Sequence, residues 1–469
     1  MRSKILRSAR FVSIFGLALL AGAPARAQTL DDPSLYVETI IDEELMFATA
    51  MAFVAPNDIL VLEKSGTVRR ILNGVLQPTP VLTVIVNASF ERGLLGIAVN
   101  TETPRKVFLY YTEAVTQDGT PLGNRVYRYT WNAVAGLLQS PQLLLDLPAI
   151  PASNHVGGTL VLGPPGEAPG VGDGALLYAV IGDLNLNGKL QNNAGGAAPD
   201  DSSVILRIRQ DGSPAPGNPF TPYCSGATTL TCDENADCGG NGPCRLEVAR
   251  YFAYGVRNSF GMAIDPVTGQ LWNTENGSDQ FDEVNRVTPG FNSGWNQIMG
   301  PDALDPEGTG DLWNMPGAGS TYSDPEFTWT FTIAPTGIAI PVRSALGPAY
   351  NGRVLVGDYN RGSLHALPFN KARTGFDFTA HPLLTDLVAD NWDERDELTI
   401  GVDFGRISDL EFGPDGALYV LSLLGTVYRI TAPSLVPALR LPALALLCAL
   451  LAGSAPFLLR RARRSRADR

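Results

Sequence analysis

Histidine, cysteine and positive charge are all scarce in this sequence of 469 residues. The chain contains three histidines and five cysteines, and its 35 Lys and Arg residues are outnumbered by 47 Asp and Glu residues. This acidic balance argues against a nucleic-acid-binding protein, because such proteins usually carry a basic surface. A hydrophobic fraction of 45% excludes a disordered chain and predicts a folded core.

Long apolar runs are absent from the body of the chain and occur only at its two ends. Residues 1–27 are predicted to be a secretory signal peptide, because an apolar stretch at 11–23 follows a basic start and ends in Ala25-Arg26-Ala27. The basic residues of this start are Arg2, Lys4, Arg7 and Arg10. Gln28 is therefore the predicted mature N-terminus, and an uncleaved membrane anchor is the alternative.

Residues 433–469 are predicted to form a C-terminal transmembrane anchor or a sorting signal. Residues 441–459 are apolar throughout and are followed by six arginines, which stay on the cytoplasmic side of a membrane. The body would then be exported and would face the periplasm or the cell surface. Without the two basic ends, residues 28–439 carry 23 basic and 46 acidic residues, a net charge of -23.

Four of the five cysteines lie in one segment at about 221–247, and the fifth lies in the apolar C-terminal run. The four are Cys224, Cys232, Cys238 and Cys244. In an exported protein such a group predicts two disulfides, although the sequence does not choose among the three possible pairings. Metal binding is the alternative, but the paired spacing of zinc ribbons is missing.

The body shows no long amphipathic helix and repeats a short pattern of apolar strands separated by Gly, Pro, Asn or Asp turns. Six copies occur, and their first strands are predicted at 50–54, 94–99, 158–164, 261–266, 337–340 and 407–412. Small antiparallel sheets of this kind bury both faces when they stack radially. We therefore predict an all-β, six-bladed β-propeller over 28–432, with residues 36–41 closing the ring against the last blade. A large β-sandwich is the alternative.

Two polar clusters stand directly before the first strand of a repeat, where propeller loops surround the channel mouth. His155 lies in the loop before the third repeat, and a histidine there is a candidate general base. Arg257 and Asn258 precede the fourth repeat and offer a charged donor fork and an amide. The alternatives are a surface histidine and an arginine that forms a salt bridge between blades.

A third cluster, at 274–283, combines carboxylates, an amide and a glycine turn. Its Asp282 and Glu283 are candidate ligands of a hard cation such as calcium, which prefers oxygen ligands. The segment matches no standard calcium loop.

The three clusters occur together with further motifs in a fixed order over about residues 45–430. These motifs are Gly93-Leu94-Leu95-Gly96-Ile97-Ala98, Gly158-Thr159-Leu160-Val161-Leu162-Gly163-Pro164, Ile181-Gly182-Asp183, Gly217-Asn218-Pro219-Phe220, Gly294-Trp295, Ala334-Pro335-Thr336-Gly337 and Gly413-Pro414-Asp415-Gly416. In this order they resemble the glucose/sorbosone dehydrogenase family. The resemblance implies a six-bladed propeller that uses pyrroloquinoline quinone and calcium.

The resemblance also implies roles for individual residues. His155 matches the base that takes the proton from the sugar hydroxyl, and Arg257 matches the arginine that stabilises charge on the quinone oxygen. Glu91, Asn258 and Arg406 match positions that contact the cofactor. The backbone carbonyls of Gly277 and Ser278 match the ligands of its calcium.

Several of the matching positions depart from the family pattern, three of them at expected cofactor contacts. Glu91 replaces a Gln, Asn360 replaces a Lys and Ser408 replaces an Arg. We predict an exported dehydrogenase that depends on pyrroloquinoline quinone and calcium, oxidises sugars (aldoses) or related alcohols, and passes electrons to a membrane quinone or a cytochrome. The alternative is a cofactor-less propeller that binds carbohydrate or a protein partner at the cell surface. Asn360 and Ser408 favour this alternative, whereas His155 and Arg257 favour the enzyme.

Overall fold

A computed structural model describes residues 28–305, 308, 310, 312–316 and 319–433. Within these residues almost all regular structure is β-strand, and the single α-helix, α1 (Trp392–Asp396), has five residues. The predicted signal peptide and residues 434–469 of the predicted anchor lie outside the described residues. None of the helices in the described ranges is long and apolar enough to cross a membrane.

The strands of the described residues are short, and most of them are joined by tight turns. The first sixteen are β1 (Thr29–Leu30), β2 (Tyr36–Ile41), β3 (Ala48–Ala55), β4 (Asp58–Glu63), β5 (Thr67–Leu72), β6 (Val75–Leu76), β7 (Leu82–Thr83), β8 (Leu94–Val99), β9 (Lys106–Ala114), β10 (Pro121–Asn132), β11 (Leu137–Leu147), β12 (Leu160–Leu162), β13 (Leu177–Ile181), β14 (Val204–Ile208), β15 (Tyr223–Cys224) and β16 (Ala227–Thr231). The others are β17 (Tyr251–Tyr254), β18 (Gly261–Ile264), β19 (Leu271–Glu275), β20 (Gln280–Val287), β21 (Phe291–Asn292), β22 (Thr321–Tyr322), β23 (Phe327–Phe331), β24 (Pro335–Ala339), β25 (Arg353–Asp358), β26 (Leu364–Pro368), β27 (Val388–Ala389), β28 (Thr399–Val402), β29 (Ile407–Phe412), β30 (Leu418–Ser422) and β31 (Val427–Thr431). Short 3₁₀ helices are found at Lys189–Gln191, Asn235–Cys238, Leu246–Arg250, Asp302–Leu304, Pro348–Tyr350 and Pro382–Leu384.

Six of the sheets formed by these strands are arranged in a ring. In order around the ring they are β3-β4-β5-β6 with β7 beside β5, β8-β9-β10-β11, β12-β13-β14-β17-β21-β22, β18-β19-β20-β23-β27, β24-β25-β26-β28-β1 and β29-β30-β31-β2. Their innermost strands β3, β8, β12, β18, β24 and β29 each contact the next, and β29 contacts β3. Each predicted repeat begins with one of these six strands. The prediction of an all-β propeller is therefore confirmed, and the β-sandwich is excluded.

The last sheet of the ring contains both ends of the described chain. Strand β2 pairs antiparallel with β31, with Tyr36 opposite Thr431 and Ile41 opposite Val427. The predicted ring-closing role of residues 36–41 is thus confirmed. This pairing ties the N-terminal strand to the C-terminal one and leaves no gap in the ring where a sheet edge would be unprotected.

The hydrophobic core lies mainly between neighbouring sheets. Strand β4 is buried at all six positions, as expected for a strand covered on both faces. Trp272 and Trp329 are among the largest fully buried side chains. Phe327 packs edge-on against Trp329 with ring centroids 4.9 Å apart. Fully burying one large apolar side chain contributes about 1.5–3 kcal/mol, so packing between the sheets stabilises the ring substantially.

The cysteine-rich insertion forms two disulfides, as predicted. Cys224 is bonded to Cys238 and Cys232 to Cys244, which settles the pairing that the sequence left open. The sulfurs are therefore not available as metal ligands. The two bridges close short loops around the hairpin of β15 and β16, and each is worth about 3 kcal/mol in the chain-entropy model.

The axis of the ring contains a lower cavity of about 240 Å³ between the innermost strands. Two carboxylates of β29, Asp409 and Glu411, line it. Asp409 accepts hydrogen bonds from the backbone of Met51 and Leu410, at 2.8 and 2.9 Å. Burial raises the pKa of Asp409 to about 7. Burial and the neighbouring charge of Asp409 raise the pKa of Glu411 well above its ordinary value.

The lower cavity predicts a pH-dependent loss of stability. A carboxyl whose pKa is raised by folding keeps its proton in the folded state after the unfolded chain has released it, so stability falls as pH rises from about 4 to above 7. Both side chains keep part of their surface exposed to the cavity, which reduces the effect. We expect the free energy of unfolding to fall between pH 5 and pH 8 by about 1–2 kcal/mol more in wild type than in Glu411→Gln.

Urea unfolding at the two pH values measures this difference. The exposed Glu44→Gln variant is the matched control and should behave as wild type. Equal pH dependence in wild type and Glu411→Gln would show that the cavity does not perturb these carboxyls.

Candidate active site

An upper cavity of about 500 Å³ lies next to the lower one along the axis, and its volume is in the range of small-molecule sites. Both cavities are lined by Thr49, Leu95, Thr159, Phe260 and Ser408. Four of the predicted site residues line the upper cavity, namely Glu91, His155, Arg257 and Asn258. The fold thus brings together three sequence segments that the motif analysis singled out separately.

His155 lies in the loop between β11 and β12 and is 8% exposed. Its Nδ1 is 2.6 Å from Oδ1 of Asp183, which follows β13. An ionised carboxylate only accepts hydrogen bonds, so Nδ1 carries the hydrogen of the neutral imidazole. This leaves Nε2 with a free lone pair, and it has no hydrogen-bond partner among the described residues. That tautomer is the one a general base requires.

Asp183 is itself held by several donors. Trp295 Nε1 donates to Oδ2 at 2.6 Å and the backbone N–H of Asn185 donates to Oδ1 at 2.8 Å. Its own N–H donates to the carbonyl of Arg257 at 2.9 Å. The carboxylate is 2% exposed. In the sequence, Asp183 is only part of a motif and no role is predicted for it. The structure identifies it as the hydrogen-bond partner of His155.

Arg257 follows β17, and its side chain reaches the loop after β19. Its Nη1 donates to the carbonyls of Asn276 and Gly277, both at 2.9 Å. The guanidinium also lies over the ring of Trp295, 5.1 Å from its centre. Its buried Nε has no hydrogen-bond partner within the described ranges. Burial lowers the pKa of Arg257 from its ordinary value, but an arginine keeps its charge in proteins, so a permanent donor borders the cavity.

Glu91 connects the His155 loop to Asn258. Its Oε2 accepts hydrogen bonds from the backbone N–H of His155 at 2.6 Å and from Nδ2 of Asn258 at 3.0 Å. Oδ1 of Asn258 in turn accepts from the backbone N–H of Gly157 at 3.2 Å. Glu91 therefore has a structural role beside the cavity, because its carboxylate fixes the loop that contains His155.

The segment from Gly277 to Glu283 comprises a turn and the start of β20, and none of its residues lines the upper cavity. Gly277 is connected to the cavity wall through Arg257. Asp282 Oδ1 accepts from the N–H of Gly277 at 2.9 Å, and its Oδ2 accepts from those of Ile333 and Ala334 at 2.6 and 2.8 Å. Burial raises the pKa of Asp282 to about 6. A Cβ on Gly277 would lie 1.9 Å from a backbone oxygen, so this tight turn admits only glycine.

The side chain of Glu283 lies on the opposite face of β20 from that of Asp282, as successive strand residues do. It accepts hydrogen bonds from the N–H of Gly300 at 2.6 Å and from Nδ2 of Asn285 at 2.9 Å.

Ser278 lines a separate depression together with Trp295. Among the described residues the only group with metal-ligand geometry is Cys224, Cys232 and Cys238, which are disulfide-bonded. The calcium site remains a prediction.

The wall of the upper cavity also contains the two positions at which uncharged residues replace the lysine and the arginine of the family pattern. Asn360 and Ser408 both line the cavity. Arg406 is exposed and reaches the wall through Tyr359, to whose hydroxyl its Nη1 donates at 2.8 Å. A cation that sequence reasoning missed, Lys64, lines the cavity directly. It follows β4 in an ordinary Gly-containing turn, which gave no signal in the sequence.

Comparison with known proteins places the chain in a family. The model of the Glucose / Sorbosone dehydrogenase family matches residues 45–228 and 239–428. The aldose sugar dehydrogenase YliI of Escherichia coli (strain K12) is 25% identical over 394 residues, which cover 82% of this chain and 89% of the relative. An uncharacterized protein of Synechocystis sp. (strain ATCC 27184 / PCC 6803 / Kazusa) is 27% identical over 431 residues, covering 86% and 90%.

Solved structures show the same fold. The PQQ-bound form of an aldose sugar dehydrogenase from Streptomyces coelicolor superposes with a TM-score of 0.56 at 23% identity, covering 87% of this chain and 99% of that one. At this identity the likeness concerns the fold alone. The family model, in contrast, covers most of the chain and includes all six innermost strands of the ring. The chain therefore belongs to the glucose/sorbosone dehydrogenase family of oxidoreductases.

Proposed function

We propose that the protein is a dehydrogenase that depends on pyrroloquinoline quinone and calcium and oxidises aldoses or related alcohols. The observation that carries this proposal is the hydrogen bond of 2.6 Å between His155 and Asp183 at the wall of a cavity that also contains Arg257. A base with a fixed tautomer beside a permanent cation suits removal of a hydroxyl proton coupled to oxidation. Family membership gives the redox class of the reaction.

The residues of the upper cavity fit the proposed cofactor. The cofactor is a planar tricarboxylate, the cavity measures about 500 Å³, and Arg257 and Lys64 border it with positive charge. The guanidinium of Arg257 lines the cavity and offers charged donors to an acceptor oxygen. When bound, the quinone would supply the acceptor for the hydride that leaves the substrate carbon. Asn258 and Glu91 would border it on the His155 side.

The protein's own residues perform the proton chemistry and the orientation. His155 Nε2 takes the hydroxyl proton, and the ionised Asp183 stabilises the imidazolium that results. Arg257 places positive charge next to the His155 loop and thereby stabilises negative charge that develops in the cavity. Trp295 donates a hydrogen bond to the Asp183 carboxylate and helps to fix its orientation.

We assign the proposed calcium to the backbone carbonyls of Gly277 and Ser278, because this cation prefers oxygen ligands. The proposal is supported by the Gly277 carbonyl, which accepts a hydrogen bond of 2.9 Å from Nη1 of Arg257, a residue that lines the upper cavity. Asp282 supports the turn by accepting the N–H of Gly277, while its other contacts are to backbone donors. Calcium, when bound, would act as a Lewis acid next to the cofactor.

The proposal extends to the place of the reaction. The predicted signal peptide and the Arg-flanked apolar C-terminal run favour export and a membrane tether, so a membrane quinone or a cytochrome would be within reach as electron acceptor. The ring of six sheets is proposed to be the six-bladed propeller of the family.

A second candidate, a propeller that binds carbohydrate without the cofactor, is favoured by the uncharged side chains of Asn360 and Ser408 at the cavity wall. One experiment separates the two. The purified full-length chain is incubated with calcium and pyrroloquinoline quinone, and dye reduction is followed with a panel of aldoses. We expect turnover that requires both additions. Aldose binding by calorimetry without any dye reduction would replace the dehydrogenase by the carbohydrate-binding candidate.

A further inference from the structure

The charges around the upper cavity are unevenly distributed between its two sides. Arg257 stands on one side, beside His155 and Asn258. The other side contains Asn360 and Ser408, whose polar atoms donate to the carbonyls of Thr332 and Ala48 at 3.2 and 2.8 Å. Lys64 is the second cationic side chain among the described residues that line this cavity.

Lys64 is held at the cavity wall by its surroundings. It lies directly after β4, and its N–H donates to the carbonyl of Phe47 at 3.0 Å. A Cβ on Gly93 would lie 2.7 Å from Cγ of Lys64, so the absence of a side chain at Gly93 leaves room for the lysine stem. The ammonium is therefore half-buried and placed by packing, unlike a lysine that extends into solvent.

The ammonium group is only partly satisfied by the protein. Nζ donates to the carbonyl of Ala88 at 2.5 Å, and the side chain makes no second hydrogen bond within the part of the chain that the structure describes. An ammonium has three donors, so two remain for a ligand or for water. Burial lowers the pKa of Lys64, and the charges of Asp118 and Glu91 oppose this lowering.

The nearby carboxylate of Glu91 does not replace a ligand. Its Oε2 already accepts hydrogen bonds from the N–H of His155 and from Nδ2 of Asn258. No ion pair within 4 Å joins Lys64 to either acid among the described residues. The Lys64 ammonium thus offers positive charge and free N–H donors at the cavity wall. Both suit a carboxylate, which is negatively charged and accepts hydrogen bonds.

We propose that Lys64 binds a carboxylate group of the molecule that occupies the upper cavity, at the point of the wall next to Ala88. This inference rests on the proposed function for its first source of the carboxylate, the quinone cofactor. The second source is an acidic sugar substrate, a hexuronate. In both cases the ammonium donates charge-assisted hydrogen bonds to the carboxylate oxygens.

The test compares Lys64→Gln and Lys64→Arg with wild type and with Lys371→Gln, which removes an exposed lysine away from the cavity. Pyrroloquinoline quinone and glucuronate are each titrated into the full-length protein by calorimetry, and glucose serves as the neutral ligand. Thermal melting of each variant confirms that it is folded.

We expect Lys64→Gln to weaken binding of one of the two carboxylates by about 10- to 100-fold, with glucose unchanged and Lys64→Arg restoring most of the affinity. Weaker binding of the quinone identifies the cofactor as the source, and weaker binding of glucuronate alone identifies the substrate. Unchanged affinity for both in a folded Lys64→Gln variant overturns the inference. If wild type binds glucuronate but not the quinone, the proposed function fails while the Lys64 inference is still decided by the glucuronate series.

Discussion

Replacing His155 by alanine is expected to lower turnover by about 10²–10⁴-fold, the usual contribution of a general base, while cofactor affinity changes little. The side chain is the only part of the residue that we assign to chemistry. Its backbone N–H, which donates to Glu91, is retained in the variant. Loss of the imidazole therefore removes the proton acceptor and leaves the loop attached.

The backbone of His155 makes a second variant necessary. Its φ of 57° lies in the left-handed region, where alanine costs about 1–2 kcal/mol and asparagine is better tolerated. His155→Asn should therefore keep the loop conformation and still lose turnover. The measurements are steady-state dye reduction and quinone titration of both variants.

His381→Ala is the control for the loss of an imidazole elsewhere. His381 is half-buried, lies 3.4 Å from Glu397 and does not line the upper cavity. It should keep wild-type turnover. If both His155 variants retained more than about a tenth of wild-type turnover, another group would have to be the base.

The fold was predictable from the sequence because the propeller repeats a local pattern. Each innermost strand is marked by a short apolar run that ends in a Gly, Pro or Asp turn, and such a pattern depends only on neighbouring residues. The ring closure was predictable for the same reason, since residues 36–41 form an apolar strand without a partner of their own. The disulfide pairing was not, because Cys224 and the three cysteines that follow it allow three pairings, and the sequence does not choose among them.

The candidate site was predictable only in part, because its contacts join distant segments. His155 and Arg257 were found through motifs in loops before the first strands of repeats. Lys64 reaches the same cavity from a turn between two strands of the first sheet, and nothing in its own sequence neighbourhood marks it. Arg406 was identified as a cofactor contact, and the structure places it behind Tyr359.

The carboxylates of the third cluster show why residue type alone does not assign a role. Asp282 and Glu283 were predicted as metal ligands because their side chains carry oxygen atoms. In the fold both accept hydrogen bonds from backbone N–H groups, and neither lines the upper cavity. Burial explains both the need for these donors and the raised pKa of each carboxyl. The direct test of the calcium assignment is therefore on Gly277 and Ser278, whose carbonyls the prediction uses.

Asp183→Asn is expected to lower kcat by about 10²–10⁴-fold with little change in KM, because Asp183 acts through His155 and does not contact the substrate. The carboxylate fixes the hydrogen of the imidazole on Nδ1 and stabilises the positive ring that forms during proton transfer. An asparagine of the same size can offer its amide N–H to Nδ1, which favours the tautomer that lacks a lone pair on Nε2. Quinone affinity should stay within about twofold of wild type, since Asp183 lies behind the histidine.

Trp295→Phe provides the graded comparison for Asp183→Asn. It removes one of the donors that hold the Asp183 carboxylate, the Nε1 at 2.6 Å, and keeps an aromatic ring under Arg257. We expect a smaller fall in kcat, about 3- to 10-fold, because one hydrogen bond to a charged group is lost and the others remain. If Asp183 had a purely structural role, Asp183→Asn would instead lower the melting temperature, raise KM and lower kcat. Stopped-flow measurement of quinone reduction at saturating aldose separates the two, since only a positioning role slows the reductive step in a fully loaded, stably folded enzyme.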